Sequence, residues 1–446
     1  MYAVAVSTYV TRNCYLAYSR SHGEFPSRYI RGSGVRGICH GRICGFSLSK
    51  GGLVCIRIGA HASHHPIVHA HLWRVWGLQA LQQGYSTVHV IVRPCNPIQA
   101  NCDILKAAKA SAGKMASVAA DVALERSLRD TAAGTAEAAH GFEIPTIDLT
   151  GDEAEVATAI WDAAKTVGFF SVINHGIDAA LIDSCFEASA VFFARDLDAK
   201  KAASPFAPQL NSGYEYMSQV RPSTGTADQK ESLQITARVG CMEGRWPAEP
   251  ASLEPDARAL MAASHALAKH LLDLMEPRSC PHLARGTLSG SHRLWSDDGQ
   301  CTLRLLHYPP TQPPDCRDPT LWRAGPHTDW DCLTLLFQRP GNEGLECAAN
   351  PRSGSSGGWM AVDPVPGGIA VNIGDMLARW SSGRLLSNLH RVRMPTAAEC
   401  SPPRSRFSMA FFMQADKSAL ISSGDGQEDI TAGDYILGRI KSNYAK

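Results

Sequence analysis

His327-Thr328-Asp329 sets an imidazole and a carboxylate two residues apart. On a strand or at its end, residues i and i+2 face the same way, so both side chains can grip one metal ion from one side. His390 supplies a second imidazole much later in the chain. Two histidines and one carboxylate on one face of a metal form the donor set of non-haem Fe(II) oxygen chemistry, and they leave the opposite face open for substrates and O2. Arg406-Phe407-Ser408 repeats the i, i+2 spacing. A guanidinium and a hydroxyl on one face make a carboxylate clamp, because Arg offers a planar fork of donors. An Arg among Phe407, Met409, Phe411 and Phe412 is costly to bury without an anion, and a dicarboxylic cosubstrate would supply one. Singly, each piece has a bland reading: a chance tripeptide, a satisfied core histidine, a surface strand pair. Their order inside β-patterned sequence is what gives them weight.

The elements that must position these residues begin near Ile144. Ile144 to Leu149 reads as a short strand, and Asp152 to Thr166 carries Val156, Ile160 and Ala163 or Ala164 at helical spacing. Gly168 ends that helix. Phe169 to Ile173 is a buried strand closed by the turn Asn174-His175-Gly176, and His175 in that turn reads as structural. Helices follow over Ala179 to Arg195 and Asp256 to Met275. After about residue 300, short apolar runs alternate with Pro/Gly turns. They are Thr302 to Tyr308, Cys332 to Gln338, Trp359 to Val362, Ile369 to Ile373, His390 to Met394 and Arg406 to Gln414. Many short strands with turn signals indicate a sandwich or barrel.

The chain has 446 residues, 44% of them hydrophobic, enough for a sizeable core. With 43 basic and 42 acidic residues there is no electrostatic case for nucleic acid or an anionic membrane as partner. No apolar run is long enough to span a bilayer. The 14 cysteines lack CxxC pairs or regular spacing and read as free thiols of a reducing compartment. The first 114 residues are poor in acids, with Glu24 and Asp103 alone, and carry no lasting core pattern. A disordered extension, a mis-assigned start with Met115 as the true one, and an organelle transit peptide all stay open. The histidines His61, His64, His65, His69 and His71 read as a compositional accident. Residues 115 to 140, rich in alanine, read as a short helix or a flexible leader.

From about Ile144 to Tyr444 the chain resembles the 2-oxoglutarate- and Fe(II)-dependent dioxygenases of the isopenicillin N synthase-like family. The resemblance rests on Ile144 to Leu149, Gly168 to Ile177, Asp228 to Ser232, Trp246-Pro247, Leu303 to Pro310, Gly325 to Asp329, Thr334 to Gln338, Val371 to Asp375, Ser387 to Val392 and Arg406 to Ser408. It implies a mixed α/β (α+β) fold: a double-stranded β-helix (jelly roll) core flanked by helices, after a poorly structured N-terminal extension. The implied division is an extension over 1–140, an N-terminal dioxygenase region over 143–280, a jelly-roll domain over 298–418 and a helical tail over 419–446. The resemblance also implies iron on His327, Asp329 and His390, and the distal carboxylate of 2-oxoglutarate on Arg406 and Ser408 with the Tyr308 hydroxyl as a third contact. Asn372 is expected near the metal, or else in a strand-end hydrogen bond. No catalytic residue is expected beyond the metal site. The implied activity couples decarboxylation of 2-oxoglutarate, with O2, to oxidation of a small organic substrate by a cytoplasmic monomer. An Fe(II) oxidase that does without 2-oxoglutarate, and a non-catalytic binding protein, are the alternatives. Substrate-facing differences are expected in Thr224 to Asp228 and Ser289 to Asp298, and the loop Asn350 to Gly358 is rich in Ser and Gly.

Overall fold

The computed structural model describes residues 143–444 apart from 221–223, 313–314, 319 and 351–357, together with three short strands nearer the N-terminus. The chain divides into two units, Met1–Gly113 and Lys114–Lys446. In the first, β1 (Leu16–Ser19) pairs antiparallel with both β2 (Leu53–Val54) and β3 (Thr87–His89). The other expectations for this part of the chain lie outside the described residues: the disordered extension, the histidine cluster and the alanine-rich leader. So does most of the Asn350 to Gly358 loop.

In the second unit β4 (Thr146–Asp148) leads into α1 (Glu153–Thr166). Asp152 caps α1 by accepting from the backbone N–H of Ala154 and Glu155 at 3.0 and 3.2 Å. Gly168 then turns the chain with φ +75° into β5 (Phe169–Ile173). A Cβ at Gly168 would sit 2.3 Å from the Leu386 carbonyl oxygen, so both conformation and space demand glycine. Gly168→Ala is therefore expected to cost about 1–3 kcal/mol in urea unfolding. Helix α2 (Ala179–Phe193) and the short α3 (Leu197–Ala203) precede β6 (Gly213–Tyr216) and β7 (Glu231–Thr236). Helix α4 runs over Leu253–Ser279, longer than Asp256 to Met275: Pro255 falls in its first turn, where backbone N–H groups have no intrahelical partner anyway, and Pro277 lies only two residues from its end. The short α5 (Thr287–Gly290) follows.

The jelly roll is built from β8 (Thr302–Tyr308), β9 (Ala324–His327), β10 (Leu333–Phe337), β11 (Leu345–Ala348), β12 (Trp359–Ala361), β13 (Gly368–Ile373), β14 (His390–Val392) and β15 (Arg406–Met413). The large sheet has the order β4-β5-β13-β10-β15-β8-β7-β6 and the small one β12-β11-β14-β9. Helix α6 (Asp375–Trp380) sits between β13 and β14. The tail is not helical throughout: a hairpin of β16 (Leu420–Ile421) and β17 (Ile430–Thr431) precedes α7 (Ala432–Tyr444).

Alternation along the strands divides the core in two. Leu303, Leu305, Leu333, Leu335, Val371, Met409 and Phe411 belong to the cluster shared with α1, α2 and α4. Leu306, Tyr308, Ala370 and Ala410, one residue out of phase, meet Ala324, Leu345 and Val392 of the small sheet. The large sheet is thus buried on both faces, which is why its strands are so apolar. The site lies on the second, inner face.

Candidate metal centre

His327 ends β9 and His390 begins β14, and the two are register partners across the small sheet. Their ring centroids are 4.3 Å apart. Asp329 follows in the turn after β9. Its Oδ1 lies 3.9 Å from His327 Nε2 and its Oδ2 3.7 Å from His390 Nε2. One ligand atom from each residue lies within 4.8 Å of the others. The three sequence-predicted metal residues therefore converge.

The surroundings fix the state of each ligand. His327 Nδ1 donates to the Gly325 carbonyl at 2.7 Å and His390 Nδ1 to the Asn388 carbonyl at 3.3 Å. A carbonyl only accepts, so each Nδ1 carries the hydrogen, and in the neutral ring Nε2 keeps its lone pair. Burial would raise the Asp329 carboxyl, but the attraction of a positively charged His390 ring and hydrogen bonds from Thr334 and Asn372 outweigh it and hold the group below the ordinary carboxylate range. Thr334 Oγ1 and Asn372 Nδ2 reach Asp329 Oδ2 at 2.6 and 3.0 Å. Thr334 and Asn372 are themselves register partners on β10 and β13. Asp331 goes the other way, pushed up by burial and by the charge on Asp329. Three acceptor atoms thus face one point at spacings too long for hydrogen bonds among themselves. A cation suits such a point, and two imidazoles with one carboxylate suit Fe(II).

Arg406 and Ser408 begin β15, and Arg406 registers with Tyr308 of β8. The guanidinium stacks 4.8 Å from the Tyr308 ring centroid, and its Nη1 lies 3.1 Å from Ser408 Oγ. It donates further to the carbonyls of Asn342 and Glu343 and to Gln338 Oε1, at 2.9, 3.2 and 2.9 Å. The side chain is 2% exposed. Among the described residues no carboxylate lies within ion-pair distance of it. Burial lowers its pKa, though a guanidinium still stays charged at neutral pH. A buried, charged Arg whose hydrogen bonds go to neutral acceptors suits an anion in its neighbourhood.

Both groups open into one cavity that is connected to solvent, whose walls also include Phe169, Lys230, Arg304, Leu306 and Phe412. Lys230 is paired with Asp228 at 2.7 Å, and Asp228 also accepts from the Gly325 backbone N–H at 2.9 Å, just ahead of His327. Asn372 is brought to the metal ligands, as one of its two readings expected. His175 is elsewhere: its Nδ1 accepts from Ile177 N at 3.1 Å and closes its own turn. Among the described residues neither Thr224 to Asp228 nor Ser289 to Asp298 lines the cavity. The second instead packs Arg293 on Asp416. Sequence reasoning missed Lys230, Arg304 and Thr334 as wall residues. The inward phase of β8 and β10 was the signal available for the last two.

The chain matches the 2OG-Fe(II) oxygenase superfamily over residues 299–415 and the N-terminal region of the non-haem dioxygenases in morphine synthesis over residues 144–254. Gibberellin 20 oxidase 3 of Oryza sativa subsp. japonica is 31% identical over 297 residues, 63% of this chain and 74% of that protein. The chain belongs to the 2OG-Fe(II) oxygenase superfamily. Another relative of this dioxygenase, the 2-oxoglutarate-Fe(II) type oxidoreductase hxnY of Emericella nidulans, is 29% identical over 320 residues, covering 66% of this chain and 86% of its own. A full-length Neurospora crassa protein crystallised in complex with alpha-KG superposes with a TM-score of 0.57 at 27% identity, over 69% of this chain and 99% of that one. The dioxygenase is thus an oxidoreductase that uses Fe(II), 2-oxoglutarate and O2. No described helix is long and apolar enough to cross a membrane.

Proposed function

We propose that His327, Asp329 and His390 hold Fe(II), and that Arg406, Ser408 and Tyr308 receive the far carboxylate of 2-oxoglutarate, while a small organic molecule is oxidised beside them. The observation that carries this reading is the pairing in one cavity of a cation-seeking point with a buried guanidinium whose described hydrogen-bond partners are neutral. Bound iron would supply the redox chemistry that couples O2 reduction and decarboxylation of 2-oxoglutarate, to succinate and CO2, with substrate oxidation. The protein's own part is positional. Thr334 and Asn372 fix the Asp329 carboxylate, the Gly325 and Asn388 carbonyls fix the imidazoles, and Leu306, Leu336, Leu345 and Val392 keep water from the walls. Thr334→Val keeps the shape but deletes a donor to Asp329, and is expected to weaken Fe(II) binding about tenfold in an anaerobic titration.

We read the substrate as a small molecule. The Neurospora crassa protein has been crystallised with thymine and with 5-formyluracil, both small organic molecules. A reducing, cytoplasmic location fits the eight described cysteines, all free. The deciding experiment is a panel of small molecules screened for stimulated succinate release from 2-oxoglutarate. Release that rises with one member and needs added Fe(II) supports the reading. Succinate formed equally by His327→Ala protein would contradict it.

A further inference from the structure

The C-terminal helix reaches the metal site from behind. Arg439 on α7 is fully buried, with its Nη2 2.8 Å from Asp375 Oδ2 and 3.4 Å from Thr328 Oγ1. Thr328 is the residue between His327 and Asp329. Its hydroxyl donates to the same Asp375 Oδ2 at 3.0 Å, so the three groups form a closed triangle. The guanidinium also lies 5.5 Å from the ring centroid of Trp330, the residue after Asp329.

Asp375 is tied to the same turn through its backbone. Its N–H donates to the Asp329 carbonyl at 2.8 Å, and the next two bonds of the set run from Met376 N to Asp331 O and from Gly374 N to Cys332 O, both at 3.0 Å. Gly374 allows this approach, since a Cβ there would fall 2.2 Å from the Asp331 carbonyl oxygen. The first turn of α6 therefore grips residues 329 to 332 as a rigid unit, and one buried Arg from the far end of the chain neutralises the acid at its head.

Resting on the metal-site reading above, we infer that Arg439 is a positioning residue for the iron site: by locking Asp375 and Thr328 it sets the orientation of the His327–Asp329 turn. The described hydrogen bonds of Arg439 run to Asp375 and Thr328, not to the metal-facing atoms themselves. Its effect is transmitted through two hydrogen-bonded neighbours, as outer-shell partners of metal ligands commonly act.

The test uses the full chain stripped of metal and titrated with Co(II), whose ligand-field spectrum reports coordination geometry. In R439M the Co(II) dissociation constant is expected to rise about 10–100-fold, with an altered spectrum. Removing one partner also leaves the Asp375 charge uncompensated beside the core and can unfold the protein. The double variant D375N/R439M removes both charges, so it is expected to recover the melting temperature of the apo-protein while keeping the weakened affinity and altered spectrum. Wild-type affinity and spectrum in either folded variant would overturn the inference and leave Arg439 as an anchor of the fold alone. Co(II) uptake by wild type that is unchanged in H327A would overturn the metal-site reading itself, and this inference with it.

Discussion

Asp329→Ala should leave a folded protein that binds iron at least about 100-fold more weakly and forms no measurable succinate. Asp329 is the sole anionic member of the triad, and Thr334 and Asn372 both direct donors at its Oδ2. With alanine there, two neutral imidazoles remain, and Thr334 keeps a partner in Asp331 at 3.0 Å, so the fold should tolerate the change. Iron content after anaerobic reconstitution, together with the apo melting temperature, separates loss of metal from loss of structure. Full iron content in the variant would remove Asp329 from the metal site.

Arg406→Ala should raise the concentration of 2-oxoglutarate needed for half-maximal turnover by at least about 30-fold, since truncating one side of a buried charge pair costs about 2–5 kcal/mol. The buried guanidinium donates to neutral acceptors on Gln338, Asn342, Glu343 and Ser408. Iron binding should be nearly unchanged, because Arg406 lies on β15 and the ligands belong to β9, β14 and the turn after β9. The rise should also be specific to the cosubstrate, with the requirement for Fe(II) unaltered. Steady-state succinate formation at varied 2-oxoglutarate checks this. An unchanged requirement would place the anion elsewhere.

Much of this arrangement was legible in the amino-acid sequence. The i, i+2 pairs at His327/Asp329 and Arg406/Ser408 survive intact, and Phe169–Ile173 is a strand with the bounds expected of it. Strand β7 was not legible, because Glu231, Ser232, Gln234 and Thr236 are polar yet buried. Their cost is met by partners far away in sequence: Lys200, Tyr214 and His307 on Glu231, and Arg304 on Gln234. Strand β9 was hidden by Gly325-Pro326, which an edge strand of the small sheet tolerates. The hold on Asp329 was invisible for a related reason. Thr334 and Asn372 meet only through the β10–β13 register, which no local pattern encodes. Arg439 is further still from anything a motif can mark.

The central claim is one cavity that takes Fe(II) on three side chains and 2-oxoglutarate beside it. It is tested most directly by visible absorption under argon, because an Fe(II)-bound 2-oxo acid gives a charge-transfer band that neither component shows alone. Wild-type protein should develop the band only when both Fe(II) and 2-oxoglutarate are present. Asp329→Ala should not develop it, and Arg406→Ala should need far more 2-oxoglutarate to reach the same intensity. A band of full intensity in Asp329→Ala, or none in wild type, would contradict the account.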